Sequence, residues 1–257
     1  MAWLPRRWQG LQRYWQRAHQ AVMATILASL PNRCLLCHQA IAPPGKGVCG
    51  FCLQACIYKG EVCLGCGQAL VQCTDYCGRC QASTPTPIIA PMSYHSYLGP
   101  WVAAIKYQQQ FAAITPLCRA LMVRVQLLSH QGLIRPVQGL IPIPLHPLRL
   151  QQRGYNQARL IADELSSLSG IPVLTDLLYR TRDTPPQAGL NGQQRRQNVL
   201  GAFALQRRPE VFSVAIIDDV VTTASTAEQV AALLTAQGIV VQIWCLARAE
   251  APGLSDL

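Results

Sequence analysis

Asp218 and Asp219 stand side by side after the apolar run Val214, Ala215, Ile216 and Ile217, and small or hydroxylic residues follow at Thr222, Thr223, Ala224, Ser225 and Thr226. Adjacent carboxylates suit the hydroxyls of a sugar or a hard cation. A hydroxyl-rich turn that opens a helix suits a phosphate, because the helix start offers unpaired backbone N–H groups and the positive end of its dipole. Each piece alone has an ordinary explanation: paired acids also end solvated strands, and Thr or Ser before a helix is a common N-cap. The whole order from Val214 to Thr226 is more specific, since it sets two carboxylates and a phosphate-sized cradle at one sheet edge. To work, it needs the apolar run to be a strand buried on both faces, with the acids at its carboxyl end. It also needs a following helix whose apolar positions are Ala227, Val230, Leu233 and Leu234.

A second constellation is made of sulfur. Ten of the twelve cysteines lie between Cys34 and Cys80. Cys34-Leu-Leu-Cys37 and Cys49-Gly-Phe-Cys52 form one pair of C-x2-C knuckles, and Cys63-Leu-Gly-Cys66 and Cys77-Gly-Arg-Cys80 form another. Two knuckles bring four thiolates within reach of one tetrahedral ion, so the spacing favours structural zinc. Iron–sulfur ligation shares the thiolate count. A disulfide framework fits poorly, because partners so close in sequence bridge with strain and need an oxidising compartment. Cys34, Cys37, Cys49 and Cys52 are expected to hold one ion and Cys63, Cys66, Cys77 and Cys80 a second, with Cys56 and Cys73 spare. Cys118 and Cys245 sit in apolar contexts and read as buried free thiols.

The formal charge of +10 favours anionic partners such as phosphorylated sugars, nucleic acid or a membrane surface. Residues 1–33 carry Arg6, Arg7, Arg13, Arg17 and Arg33 with no acid, interleaved with Trp3, Trp8, Tyr14 and Trp15 and followed by an apolar run at 21–30. A signal peptide is disfavoured by the long aromatic basic part and the cysteines downstream. The run is short for a membrane span. The stretch reads instead as an amphipathic or loosely structured helix touching a membrane, a partner or its own domain. The expected location is the cytoplasm, peripheral to the inner membrane surface.

The rest of the chain must supply the scaffold. A Pro-rich connector at 83–87 separates a Cys-rich module, 34–82, from a larger domain, 88–250. Helical periodicity marks 98–107, 116–128 and 156–168, and apolar runs mark strands at 139–144 and 173–179. A strand–helix–strand unit spans 214–246. Such alternation implies an α/β fold with a mostly parallel sheet flanked by helices. Arg149 and Arg153, in the basic segment after the strand at 139–144, have the fork geometry to grip a pyrophosphate. Residues 184–199 read as a long polar loop of lid type. Lys106 ends an apolar helix, where it complements the C-terminal dipole.

The segment 214–226 resembles the phosphoribosyl pyrophosphate (PRPP) signature of type I phosphoribosyltransferases. The wider order of motifs resembles the ComF family, amidophosphoribosyltransferase-like proteins of bacterial competence and DNA uptake. Those motifs are cysteine knuckles, Ile105-Lys106-Tyr107, the Ile-Pro-Ile-Pro strand with Arg153-Gly-Tyr-Asn-Gln157, Gln187 with Arg195, Arg196 and Asn198, and the Asp-Asp turn. The resemblance covers about residues 34–248 and implies a type I phosphoribosyltransferase-like fold with a zinc-ribbon-like module. It makes Asp218 and Asp219 the ribose and metal-linked acids, residues 222–226 the 5′-phosphate loop, and Arg153 with its neighbours part of the pyrophosphate side. It places Gln187, Arg195, Arg196 and Asn198 in a lid-like segment, and adds magnesium carried with PRPP. Ala224 departs from the Gly common in such loops, and its methyl would strain the cradle if that position needs left-handed geometry. Thr222 stands where 6-oxopurine salvage enzymes carry an acid, which argues against purine salvage.

Two functions remain open. One is a competence-associated protein with a PRPP-binding domain, partnered by single-stranded DNA, competence-machinery proteins or the inner membrane surface. The other is an active phosphoribosyltransferase moving ribose 5-phosphate from PRPP to an acceptor.

Overall fold

The computed structural model describes residues 32–72, 74–83, 85–184, 192–222 and 224–249, and the side chains of 192, 193, 195 and 196 fall outside that description. The basic aromatic stretch 1–33, apart from Asn32 and Arg33, therefore lies outside the described residues, as do Cys73, Gln187 and Thr223.

Four parallel strands form the central sheet: β1 (Ile88–Ile89), β2 (Gly139–Pro142), β5 (Ser213–Val221) and β6 (Val240–Arg248), in the order β1-β6-β5-β2. A separate antiparallel pair joins β3 (Leu178–Arg180) to β4 (Phe203–Leu205). Val214, Ala215, Ile216 and Ile217 on β5 are all fully buried. Ala215 and Ile217 face one core cluster, and Val214 and Ile216 face another. This double burial is why the run is continuously apolar rather than alternating.

On the first face pack α3 (Gly99–Gln108), α4 (Ile114–His130) and α6 (Gln157–Ser169). Helix α4 and the short turn before it form an apolar stretch, Phe111–His130, long enough to cross a membrane, but here it is a core helix, with Leu117, Cys118 and Leu121 fully buried. Helix α6 begins where the Asn156 side chain accepts from Ala158 N–H and ends at Gly170 in left-handed geometry. The Asn156 amide also donates to the Ile143 carbonyl at 3.0 Å, pinning the helix to the chain leaving β2. On the second face, α8 (Ser225–Thr235) buries Ala227, Val230 and Leu234 against the sheet, and α7 (Gly192–Val199) packs beside it. Leu233 is the half-buried exception among the expected positions and packs at the margin.

Three sequence expectations are adjusted. Strand β5 does not end at the acids: it runs on to Val221, because Val220 and Val221 still pair with Ala247 and Arg248. The expected strand at 173–179 is split, with Val173 making a lone parallel bridge to Leu140 and β3 turning away to pair with β4. The segment read as a loop at 184–199 contains α7. The short helices of the Cys-rich segment are α1 (Gly50–Cys56) and α2 (Gly78–Gln81), and α5 (Pro147–Arg153) follows β2.

Candidate functional site

The carboxyl ends of β2 and β5 open into a cleft of about 440 Å³. Its lining includes Asp218, Asp219, Thr222, Ala224, Ser225 and Thr226 from the segment around the end of β5, Arg149 and Arg153 from α5, Lys106 from α3 and Arg180 from β3. Asp219 is buried and Asp218 half-buried. Each carboxylate accepts the N–H of the residue after it, Asp219 N to Asp218 Oδ1 and Val220 N to Asp219 Oδ1, both at 2.9 Å. Burial first, and then the neighbouring Asp219 charge, push the Asp218 carboxyl well above the usual range, while the Lys106 ammonium pulls the other way. Two acids held this close in a low-dielectric edge favour a cation or sugar hydroxyls as partners.

Ala224 takes φ +57° and ψ 0° at the N-cap of α8, so the left-handed geometry is required there. Ser225 is buried at the first position of the helix, beneath the cleft. On the opposite wall, α5 ends at Gly154, whose φ of +81° turns the chain toward α6. That turn leaves Arg153 within reach of Gln157, to whose Oε1 it donates at 2.8 Å. Arg149 pairs with Asp183 at 3.1 Å and donates to the Thr184 carbonyl.

The eight expected sulfur ligands gather into two groups, Cys34, Cys37, Cys49, Cys52 and Cys63, Cys66, Cys77, Cys80, each with its ligand atoms within 4.8 Å of one another. Cys37 and Cys49 Sγ are 3.8 Å apart, and Cys66 and Cys77 Sγ are 3.6 Å apart. Thiolates bound at about 2.3 Å to one tetrahedral ion stand about 3.8 Å from each other, so the groups are sized for a single ion rather than for disulfides. Backbone N–H groups point at the sulfurs: Cys49 N donates to Cys34 Sγ, and Cys66 N and Cys77 N donate to Cys63 Sγ. Burial raises Cys34, but the N–H groups of Cys37, Cys49 and Leu36 outweigh it and bring the thiol down to about 6. The same contest leaves Cys63 at about 7. Burial and the neighbouring sulfurs push Cys52, Cys66 and Cys80 the other way, so within each group one thiol ionises ahead of the rest. Cys56, Cys118 and Cys245 are buried and unbridged.

No family model matches the chain. Competence protein F of Haemophilus influenzae is 33% identical over 223 residues, covering 84% of this chain and 97% of that protein. The chain belongs to the ComF family. The proteins named DNA utilization protein YhgH are similar over a comparable span. The one from Escherichia coli K12 is 29% identical and the one from Salmonella typhimurium 28%, each over 225 residues, 86% of this chain and 99% of theirs.

Of the motif positions taken from the ComF resemblance, the structure gathers Asp218, Asp219, Thr222, Ala224, Ser225, Thr226, Arg153 and Lys106 around one cleft. Thr223 and Gln187 lie outside the described residues, and so do the side chains of Arg195 and Arg196. Asn198 is half-buried on α7 and does not line the cleft. Two residues gain a place the sequence reading did not give them. Lys106 was expected only to complement a helix dipole, yet it sits in the cleft. Arg180 was not singled out at all. Its signal was a charge on the inward side of a short strand, where the pattern along β3 is buried, exposed, buried.

Proposed function

We propose that this protein serves competence-linked DNA uptake and that its cleft binds a phosphoribosyl ligand, PRPP, together with magnesium. The supporting observation is the convergence of Asp218 and Asp219, the N-terminus of α8 and the cations Lys106, Arg149, Arg153 and Arg180 on one cleft. In this reading the two acids take the ribose hydroxyls and the hydrated ion, and the N-terminus of α8 with its hydroxyls takes the 5-phosphate. Magnesium would supply charge neutralisation between the carboxylates and the diphosphate. The names of the relatives, competence protein F and DNA utilization protein, support the cellular role. Single-stranded DNA suits the net charge of +10. Competence-machinery proteins and the inner membrane surface complete the proposed partners, with the protein in the cytoplasm.

The same proposal puts structural zinc at both four-cysteine sites, where a full set of sulfur ligands leaves no open position for chemistry. An active phosphoribosyltransferase is the second reading, favoured by the pairing of acids and hydroxyl-rich turn. Against it, Asp218 and Asp219 are the only carboxylates among the described residues that line the cleft, and in this reading both are taken up by the ribose and the ion.

Calorimetric titration with PRPP and magnesium is expected to show binding to the wild type and none to the Asp218→Ala/Asp219→Ala variant. Absence of binding to the wild type sinks the PRPP reading. Pyrophosphate release with added acceptors would move the balance to the enzyme.

A further inference from the structure

Arg248 closes β6 and is buried, with 5% of its surface exposed. Its backbone is held on both sides: the N–H donates to the Met92 carbonyl at 3.0 Å, the carbonyl accepts from Tyr94 N at 2.7 Å, and the residue pairs in register with Val221. The side chain reaches the Cys63–Cys66 knuckle, where Nη2 donates to the Gly65 carbonyl and Nη1, at 3.4 Å, to the Leu64 carbonyl. Its Nε has no hydrogen-bond partner among the described residues. The ion pairs among those residues engage Arg124, Arg149, Arg159 and Arg207, and none engages Arg248. A desolvated guanidinium with no carboxylate in contact is costly to keep.

The two carbonyls it meets belong to peptide groups whose other ends face sulfur. The Leu64 carbonyl shares its peptide with the Gly65 N–H, and the Gly65 carbonyl shares its own with the Cys66 N–H. Both N–H groups bond to Cys63 Sγ. A cation on the carbonyl oxygen polarises the peptide and makes its N–H a stronger donor. The other group of four cysteines supplies an internal comparison. Cys34 takes the N–H groups of Leu36, Cys37 and Cys49, and Cys63 takes those of Gly65, Cys66 and Cys77, the equivalent positions in each group. Only the second set has a guanidinium behind it. Among the described residues no Arg or Lys donates to the Leu35 or Leu36 carbonyl, and Arg33 donates to the His38 carbonyl instead. Cys80 is also buried where its counterpart Cys52 is half-buried, so charge in the second group is less well solvated. Four thiolates around a divalent ion carry a net charge of about −2, which a buried setting leaves in need of a cation.

We propose that Arg248 is the counter-charge and positioning residue of the metal site at Cys63, Cys66, Cys77 and Cys80, acting on the sulfurs through the two peptides it caps. The site at Cys34, Cys37, Cys49 and Cys52 has no such residue, so the two sites hold their ions unequally and only the first of them is tied by charge to the end of β6. This rests on the zinc reading of the four-cysteine groups and adds to it a residue that is not a ligand.

The test exposes full-length, zinc-loaded protein to excess EDTA and N-ethylmaleimide, with mass spectrometry reading the alkylation of each cysteine. In Arg248→Met the rate at Cys63, Cys66, Cys77 and Cys80 is expected to rise about tenfold or more over wild type, while the rate at Cys34, Cys37, Cys49 and Cys52 changes by less than about twofold. Arg248→Lys keeps the charge without the planar fork and is expected to fall between wild type and Arg248→Met. Calorimetry of the same proteins separates this role from plain packing: the unfolding midpoint of Arg248→Met is expected to drop further below wild type when zinc-loaded than when metal-free. An equal rise at both groups of cysteines, no rise at either, or an equal drop in midpoint with and without metal would each overturn the assignment. Zinc held at both groups in the wild type, with no selective change in the variants, removes the role of Arg248 and leaves the zinc reading standing. Absence of zinc from the Cys63 group in the wild type removes both.

Discussion

Ala224 holds φ +57° at the entrance of α8, and its carbonyl accepts the first-turn N–H of Glu228 at 2.8 Å. Left-handed geometry costs a residue with a Cβ about 1 kcal/mol or more, part of which Gly gives back through the freedom it loses on folding. Ala224→Gly is therefore expected to stabilise the unliganded protein by about 0.5 kcal/mol, a rise of about 1–2 °C in the unfolding midpoint, and to bind PRPP at least as well. A fall in midpoint would mean that the methyl packs usefully in the turn. Asp218 gives a second test at the same strand end. Its carboxyl is raised by burial and by Asp219, so the folded protein holds a proton that the unfolded chain releases. Below about pH 3.9 both states are protonated and there is no penalty; the penalty grows as pH rises from there through the raised folded value and is complete above it. Asp218→Asn is accordingly expected to raise the midpoint at neutral pH, with a gain that shrinks steadily on acidification to about pH 4. A gain independent of pH would remove the ionisation argument.

At the scale of elements, what is encoded locally was legible and what depends on pairing was not. The helix expected at 156–168 is Gln157–Ser169, because its apolar face, the Asn156 cap and the Gly170 terminator all lie within the segment. The cysteine groups were legible for the same reason, since each knuckle is a two-residue spacing and its partner lies one short loop away. Strand β5 was read too short because two acids look like an ending. The neighbour that carries it on to Val221 is β6, whose contribution no local pattern reveals. The β3–β4 pair was missed because residues 181–202 separate its strands and leave no hairpin turn to recognise. The same limit hid the two extra cleft cations. Nothing in the helical period around Lys106, or in the short strand before Arg180, says that both ends meet the end of β5. Only the packing of that helix and of the separate β3–β4 pair around the central sheet brings them there.

The Pro-rich connector suggests two separable units, but the hydrophobic core runs across it. Cys34, Val48, Cys56 and Leu64 belong to the same buried cluster as Ile89, Met92, Leu117 and Trp244. The Leu64 carbonyl accepts from Ile88 N at 2.8 Å, and the Arg248 side chain donates to the carbonyls of Leu64 and Gly65. Glu61 pairs with Arg124 of α4 at 3.0 Å, and Tyr76 Oη donates to the Pro85 carbonyl at 2.8 Å. A Cβ at Gly65 would come within 2.8 Å of Cys80 Sγ and 2.7 Å of Pro85, so the Cys63–Cys66 knuckle is pressed against the connector as well as against its partner knuckle. Arg248 pairs in register with Val221, two residues beyond Asp219, and this places the Cys63–Cys66 knuckle one strand away from the cleft edge. Metal at the four-cysteine sites should then stabilise the molecule as a whole, since any ion bound only by the folded state shifts the single folding equilibrium. Removing it with a chelator under reducing conditions is expected to lower the unfolding midpoint of the entire chain in one calorimetric transition and to weaken PRPP binding with it. Metal analysis before treatment should give two ions per chain, one for each group of four cysteines. A thermogram with an early transition and an unchanged late one would show instead that the Cys-rich segment melts alone, and that the shared core does not couple it to the cleft.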